Sequence, residues 1–225
     1  MDTHPYHHYL FFKLDNDFYR LAETEQKKAK EIFHAVLSKN HGGDLKLETY
    51  ATLGFKPDTT FMLWSRGMIP EAVQILLREI FRTEFGYHLS LSHTYFGIVR
   101  NSSYSGRTGK PEQTIQNYDE RLPYLVLYPF TKTSEWHAMD FESRKSIMGE
   151  HIKVGVGHPA IRQCLLYSYG VDDYEFLVSY EMKTLEEFQD LVIEMRHTAG
   201  RKYTLVDTPT FTCIYKTLPE LIEFL

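Results

Sequence analysis

Within residues 124–151, three side chains with redox and metal chemistry fall close together: the phenol of Tyr128, the cation of Lys132 and the imidazole of His151. Alternation from Tyr124 sets Tyr124, Val126, Tyr128, Phe130 and, where the strand continues, Lys132 on one side, with Leu125 and Leu127 on the other. Both faces are apolar, which predicts a central strand. His151 belongs to the helix that follows, marked by Asp140 as N-cap and Glu142 at the positive end. Ile147, Met148, His151 and Ile152 share its inward stripe. A phenol, a cation and a ligating imidazole converging on one volume are the groups that an iron porphyrin site uses. Taken singly, each has a plainer reading. A helix-face histidine is more often a core residue satisfied by a carbonyl, and a strand tyrosine more often packs while its hydroxyl finds a partner.

The elements that must position these groups recur in the same order twice. The first half reads as strand 9–14, helix 20–38, strands 45–53 and 59–65, helix 70–84 and strand 87–99. Gly54 to Asp58 separates the paired strands, and Pro70 suits a first helical position. Ile32, Phe33, Val36 and Leu37 form one helical stripe; Val73, Leu76, Leu77, Ile80 and Phe81 form another. The second half reads as strand 124–130, helix 141–153, strands 162–169 and 174–182, helix 185–196 and strand 210–215. Thr184 and Glu187 match a capping box, and Leu185, Phe188, Leu191, Val192 and Met195 supply the buried face. Two β-α-β-β-α-β units in tandem are an α+β, ferredoxin-like plan repeated. Residues 100–120, rich in Ser, Gly, Asn and charge, read as a crossing linker. The division falls at 1–115 and 116–225.

Composition narrows the class. A 225-residue chain of net charge −5, with no Lys/Arg-rich run, does not look like a nucleic-acid binder. Its 43% hydrophobic content supports a sizeable core. Cys164 and Cys213 fall in predicted strands and read as small buried hydrophobes in a reducing compartment. No apolar run approaches the ~20 residues needed to span a bilayer, and no basic segment followed by an apolar stretch opens the chain. The expectation is a soluble, cytoplasmic protein. His7 and His8 read as the start of a strand, and His4 as part of a mobile terminus.

The order YPFTKTSEW, GEH, IRQCLLYSYGVDDYEF, EMRH and DTPTFT over residues 120–215 resembles the chlorite dismutase superfamily, most closely its coproheme decarboxylases. The first hundred residues share only the architecture. The resemblance implies a dimeric α+β barrel built from the two units, an N-terminal structural unit, a C-terminal haem-binding unit, and a homo-oligomer, commonly a pentamer. It implies that His151 binds the iron and that Tyr128 is oxidised to a radical. Lys132 then pairs with a reacting propionate, and Trp136 stands beside the propionates. Phe130 lines the pocket where relatives often carry methionine. Arg196, Arg201 and Arg107 are further cations for a substrate with four carboxylates. Glu194 is a candidate partner for the second ring nitrogen of His151, and His158 a rival ligand.

Aligned on GVDD, Gln163 falls where chlorite-degrading members carry arginine, and a neutral amide does not supply the charge an oxychlorine anion needs. Arg162 is adjacent and faces the other side of a strand; a shift of one residue exchanges the two. No histidine lies between His93 and His137, so the distal histidine of some coproheme decarboxylases has no counterpart. The implied activity is hydrogen-peroxide-dependent oxidative decarboxylation of coproheme III to haem b. Chlorite dismutation, a haem peroxidase and a non-catalytic haem carrier or sensor are the alternatives.

Overall fold

The computed structural model describes residues 4–100, 104 and 114–225. Contacts along the chain divide it into Met1–Ile98 with Cys213–Leu225, and Val99–Thr212. The first unit contains β1 (Tyr6–Leu14), α1 (Glu23–Leu37), β2 (Lys46–Ala51), β3 (Phe61–Gly67), α2 (Glu71–Ile80), α3 (Glu84–Tyr87) and β4 (Leu89–Ile98). The second contains β5 (Tyr124–Lys132), α4 (Ser134–Ala138), α5 (Phe141–Gly157), β6 (Arg162–Tyr167), β7 (Phe176–Met182), α6 (Leu185–Arg196) and β8 (Thr204–Val206). The chain then continues through β9 (Phe211–Tyr215) and α7 (Leu218–Phe224).

Strand order in the first unit is β4-β1-β3-β2, and in the second β8-β5-β7-β6, all antiparallel. Both are the fourth-first-third-second order of a ferredoxin-like unit. The sequence pattern carries the second unit to Leu225, whereas contacts group the C-terminal segment with the first. Two features tie it there: Tyr215 and Ile214 pair with Tyr50 and Ala51 of β2, and Leu221 and Leu225 join the first unit's core.

In the first unit, β1 turns Leu10, Phe12 and Leu14 toward Phe33, Val36 and Leu37 of α1 and Val73, Leu76 and Ile80 of α2, and all are buried. Each large side chain closed off this way contributes roughly 1.5–3 kcal/mol. Phe33 stacks on Phe85 at 4.5 Å between ring centroids and meets Phe61 edge-on at 5.9 Å. The β2–β3 connection turns through Gly54 at φ 89°, a left-handed conformation that glycine adopts without a Cβ clash.

In the second unit the expected N-caps form, although among the described residues Glu187 does not return the second bond of a capping box. Asp140 accepts the Ser143 N–H at 2.9 Å to start α5, and Thr184 accepts the Glu187 N–H at 3.4 Å to start α6. One face of the sheet, with Leu125, Leu127, Leu166 and Leu177, is buried. The other carries Val126 and Tyr128 against Leu191, Phe188 and Met195 of α6.

Four expectations are corrected. The fourth strand position beside β5 is held by β8, a three-residue strand too short to show alternation, while the predicted strand 210–215 appears as β9 on β2. His4 is buried and lies 2.7 Å from Asp44, so it is tied down rather than mobile. The end of the predicted linker is packed: Ile115 is fully buried, Thr114 bridges to Gln163, and the Gln116 amide donates to the Cys164 sulfur at 2.8 Å. The helix expected at 70–84 breaks after Ile80 into α2 and α3, and α3 is capped by Thr83, whose hydroxyl accepts the Gly86 N–H at 2.9 Å.

Candidate functional site

Register decides which side chains meet. Across β6, β7 and β5 the aligned rows are Gln163–Tyr180–Val126, Leu165–Val178–Tyr128 and Tyr167–Phe176–Phe130. Partners in an antiparallel ladder point to the same face, so Gln163 shares a face with Tyr128 and Phe130. Arg162 belongs to the opposite row with Glu181 and Leu125. Its Nη1 lies 3.5 Å from Glu181 Oε2, and its guanidinium stacks 3.6 Å from the Tyr118 ring centre. The arginine is therefore turned away from Tyr128.

That face is incompletely covered. Tyr128, Phe130 and Tyr167 are half-buried, Leu165 is 37% exposed, and Gln163 is exposed. The helix after β5 does not seal it, since α5 has no fully buried residue and packs on α6 and the turn at 199–203. Its half-buried stripe runs Arg144, Ile147, Met148, His151, Ile152, Val154 and Gly155. Apolar and aromatic side chains on this face therefore stay partly open to solvent beside α5, a strip termed the slot.

His151 has no hydrogen-bond partner among the described residues. Its Nδ1 faces Gly200, where a Cβ would stand 3.9 Å away. Burial first, and then the charge of Lys132, pull its pKa down to about 4, with Glu150 opposing. The imidazole is neutral near pH 7, the form that ligates a metal. Glu150 itself accepts the Ala199 N–H at 2.8 Å and so anchors the turn that faces His151. Glu194, the expected partner of His151, instead lies 3.3 Å from His158 Nε2. This corrects the expected Glu194–His151 pair, since helical spacing could not show which histidine the carboxylate reaches.

Lys132 ends β5, beyond a β-bulge between Thr131 and Lys132. A bulge re-aims the side chain that follows it. The Lys132 ammonium lies 4.8 Å from the Trp136 ring centre, 5.6 Å from that of Phe130, and 3.5 Å from Thr204 Oγ1. Burial lowers its pKa to about 8, Glu175 opposing and Arg201 adding. Trp136 is buried on α4, a short helix capped by the Thr133 hydroxyl, and packs 5.7 Å from Tyr203.

Tyr128 stacks with Tyr180 at 6.1 Å, and their hydroxyls interact. Burial, then Tyr180 and Asp207, hold its pKa well above the ordinary phenol range, with Arg196 opposing. Arg196 and Arg201 both reach Asp207, at 3.3 and 3.1 Å. Tyr128, Lys132, Trp136, His151 and the two arginines are thus grouped around one slot; Arg107 lies outside the described residues. Sequence reasoning missed Tyr180, Glu175 and Asp207. Alternation on β7 could have found Tyr180; no local signal marks the other two.

The chain resembles known proteins over most of its length. The family model described as Chlorite dismutase matches residues 26–216. The chain is 25% identical to a coproheme decarboxylase of Mycolicibacterium smegmatis over 171 residues, covering 72% of this chain and 70% of that protein. It is 27% identical to a coproheme decarboxylase of Staphylococcus carnosus over 209 residues, covering 84% and 82%. With a chlorite dismutase of Ideonella dechloratans it is 23% identical over 200 residues, covering 85% and 69%. A solved chlorite dismutase from Candidatus Nitrospira defluvii superposes with a TM-score of 0.89 at 21% identity, over 100% of this chain and 96% of that one, a likeness of fold. Members of the matched family are haem-dependent enzymes. The tandem ferredoxin-like plan and the family match together place this chain in the chlorite dismutase family.

Proposed function

We propose that the protein is a haem-iron oxidoreductase that converts coproheme III to haem b by hydrogen-peroxide-dependent oxidative decarboxylation. The observation that carries this reading is the grouping of a neutral imidazole, a protonated, half-buried phenol and a lysine beside the incompletely covered face of the second unit's sheet. Among the described residues no cluster of His, Cys, Asp or Glu forms a metal set, so iron at His151 needs other donors, and a porphyrin supplies four nitrogens. The apolar, aromatic walls of the slot suit a flat macrocycle. The donor set therefore fits the group.

His151 would be the iron ligand through Nε2, since Nδ1 faces the turn at Gly200. Lys132, with Arg196 and Arg201, would take carboxylates of the substrate, and Trp136 and Phe130 would flank the lysine. When bound, the porphyrin iron supplies the route by which peroxide acts as a two-electron oxidant. Tyr128 is held protonated at neutral pH, so it gives up an electron and its proton together. The resulting phenoxyl radical would take a hydrogen atom from a propionate β-carbon, the peroxide-derived oxidant would take the second electron, and the carboxylate would depart as carbon dioxide to leave a vinyl group. For each propionate, one carboxylate, one peroxide and one proton become one vinyl group, one carbon dioxide and two waters. Repetition at a second propionate gives haem b.

Gln163 supports coproheme over chlorite. On the slot side of β6 it presents an amide, and the adjacent guanidinium is turned to Glu181. An anionic oxychlorine substrate is better served by a cation there. We propose a homo-oligomer, a pentamer, as the resemblance implies, and a cytoplasmic protein, to which two free buried cysteines are suited. The test is to load the full chain with ferric coproheme, titrate hydrogen peroxide and follow mass. Stepwise loss of two carboxyl groups is expected. Binding without mass loss points to a carrier or sensor, and oxygen release from chlorite points to a dismutase; either overturns the proposal.

A further inference from the structure

Glu175 stands one residue before β7, with 19% of its side chain exposed, and the chemistry above does not use it. Its two carboxylate oxygens are committed to different elements. Oε2 accepts the Lys132 backbone N–H at 2.8 Å, at the bulged end of β5. Oε1 lies 2.7 Å from His137 Nε2 on α4. His137 is the neighbour of Trp136, whose ring centre is 4.8 Å from the Lys132 ammonium. One carboxylate therefore ties the strand that carries the cation to the helix that carries the aromatic ring beneath it. A lysine has four rotatable bonds and loses much freedom when held, so a fixed backbone and a fixed ring decide whether it waits in one orientation.

We propose that Glu175 is a positioning residue for Lys132, fixing its ammonium over Trp136 in the orientation that receives a porphyrin carboxylate. The inference rests on the reading of the slot as a porphyrin site. Glu175 also acts by charge. The charged and titratable groups around Lys132 are Glu175 before β7, His137 on α4, Arg201 in the turn at 199–203, and His151 on α5; Thr204 on β8 is neutral. Of the groups acting on the ammonium, the Glu175 carboxylate favours its charged form, whereas burial and Arg201 oppose it. Without that charge Lys132 gives up its proton at lower pH. Carboxylate binding is present below the pKa of the lysine and lost as pH rises through it.

The experiment is a titration of ferric coproheme into the full chain, without peroxide, from neutral to alkaline pH. For the unaltered protein, affinity should fall along a limb near the lysine pKa of about 8. In Glu175→Gln that limb should move down by about one pH unit, and Lys132→Arg should abolish it. Glu175→Asp keeps the charge but is too short to reach both partners, so its affinity should drop several-fold with the limb unmoved. A limb in Glu175→Gln that coincides with that of the unaltered protein overturns the inference. Should that variant not fold, an unchanged affinity in Glu175→Asp overturns it equally. Failure of the unaltered protein to bind coproheme at any pH removes the parent reading instead.

Discussion

The two units share a strand order and differ in what the helix after the first strand does. In the first, α1 drives Phe33, Val36 and Leu37 into the sheet, and Phe33 is enclosed by Phe61 and Phe85. In the second, α5 occupies the same place in the plan with no buried residue, and its inward stripe is interrupted by His151. One unit closes its core with aromatic rings. The other leaves Tyr128, Phe130, Leu165 and Tyr167 partly open to solvent. On the function proposed above, the same topology is a closed core once and a receptacle once. What separates them is a handful of side chains, not the path of the backbone.

A truncation in each unit puts this contrast under the greatest strain. Phe33→Ala should cost about 3–5 kcal/mol in chemical denaturation, because a ring enclosed on all sides leaves a cavity. Leu165→Ala, at a residue 37% exposed, should cost under about 1 kcal/mol. Equal costs would mean that the second unit is a closed core too. Next, Tyr128→Phe keeps the ring and loses the hydroxyl, so coproheme affinity should hold while turnover falls at least about a hundredfold, read by product mass. Turnover at the original rate would remove the phenol from the chemistry.

A smaller effect compares the units through acid. His151 in the second unit and His8 in the first each have their pKa lowered from 6.5 to about 4, chiefly by burial. As pH falls below 6.5 the unfolded chain takes up protons that the folded one refuses. Each histidine's contribution is therefore present above that pH and lost as pH falls toward 4. The loss is on the order of 2–3 kcal/mol per site. His151→Leu should remove about half of the slope in a denaturation series, leaving the part that belongs to His8. An unchanged slope would mean that His151 is protonated at ordinary cost and that its surroundings are wet.

Much of this architecture is legible in the order of residues alone. Helix α6 has the predicted bounds because a threonine cap, an acidic first turn and a regular apolar stripe all agree. The face of Gln163 follows from alternation. Short elements are not legible: β8 has three residues with Leu205 and Val206 exposed, and α4 is one turn that reads as loop until Thr133 is seen capping it. The signal for α7 is plain in Thr217, Pro219 and Glu220, although the expected elements end at residue 215. Partnerships across the chain are the least accessible. Glu175 meets Lys132 from 43 residues away, and Glu194 reaches His158 rather than His151 for reasons of side-chain length and direction that spacing does not encode.

Whether the open unit receives an iron porphyrin through one imidazole can be measured directly. Ferric coproheme is added to the unaltered protein and to His151→Ala, and its absorption and electron paramagnetic resonance spectra are recorded with and without free imidazole. The unaltered protein should show a histidine-ligated iron, the variant should lose that signature, and added imidazole should restore it. Identical spectra and affinities for the two proteins would place the iron elsewhere and contradict the assignment of His151.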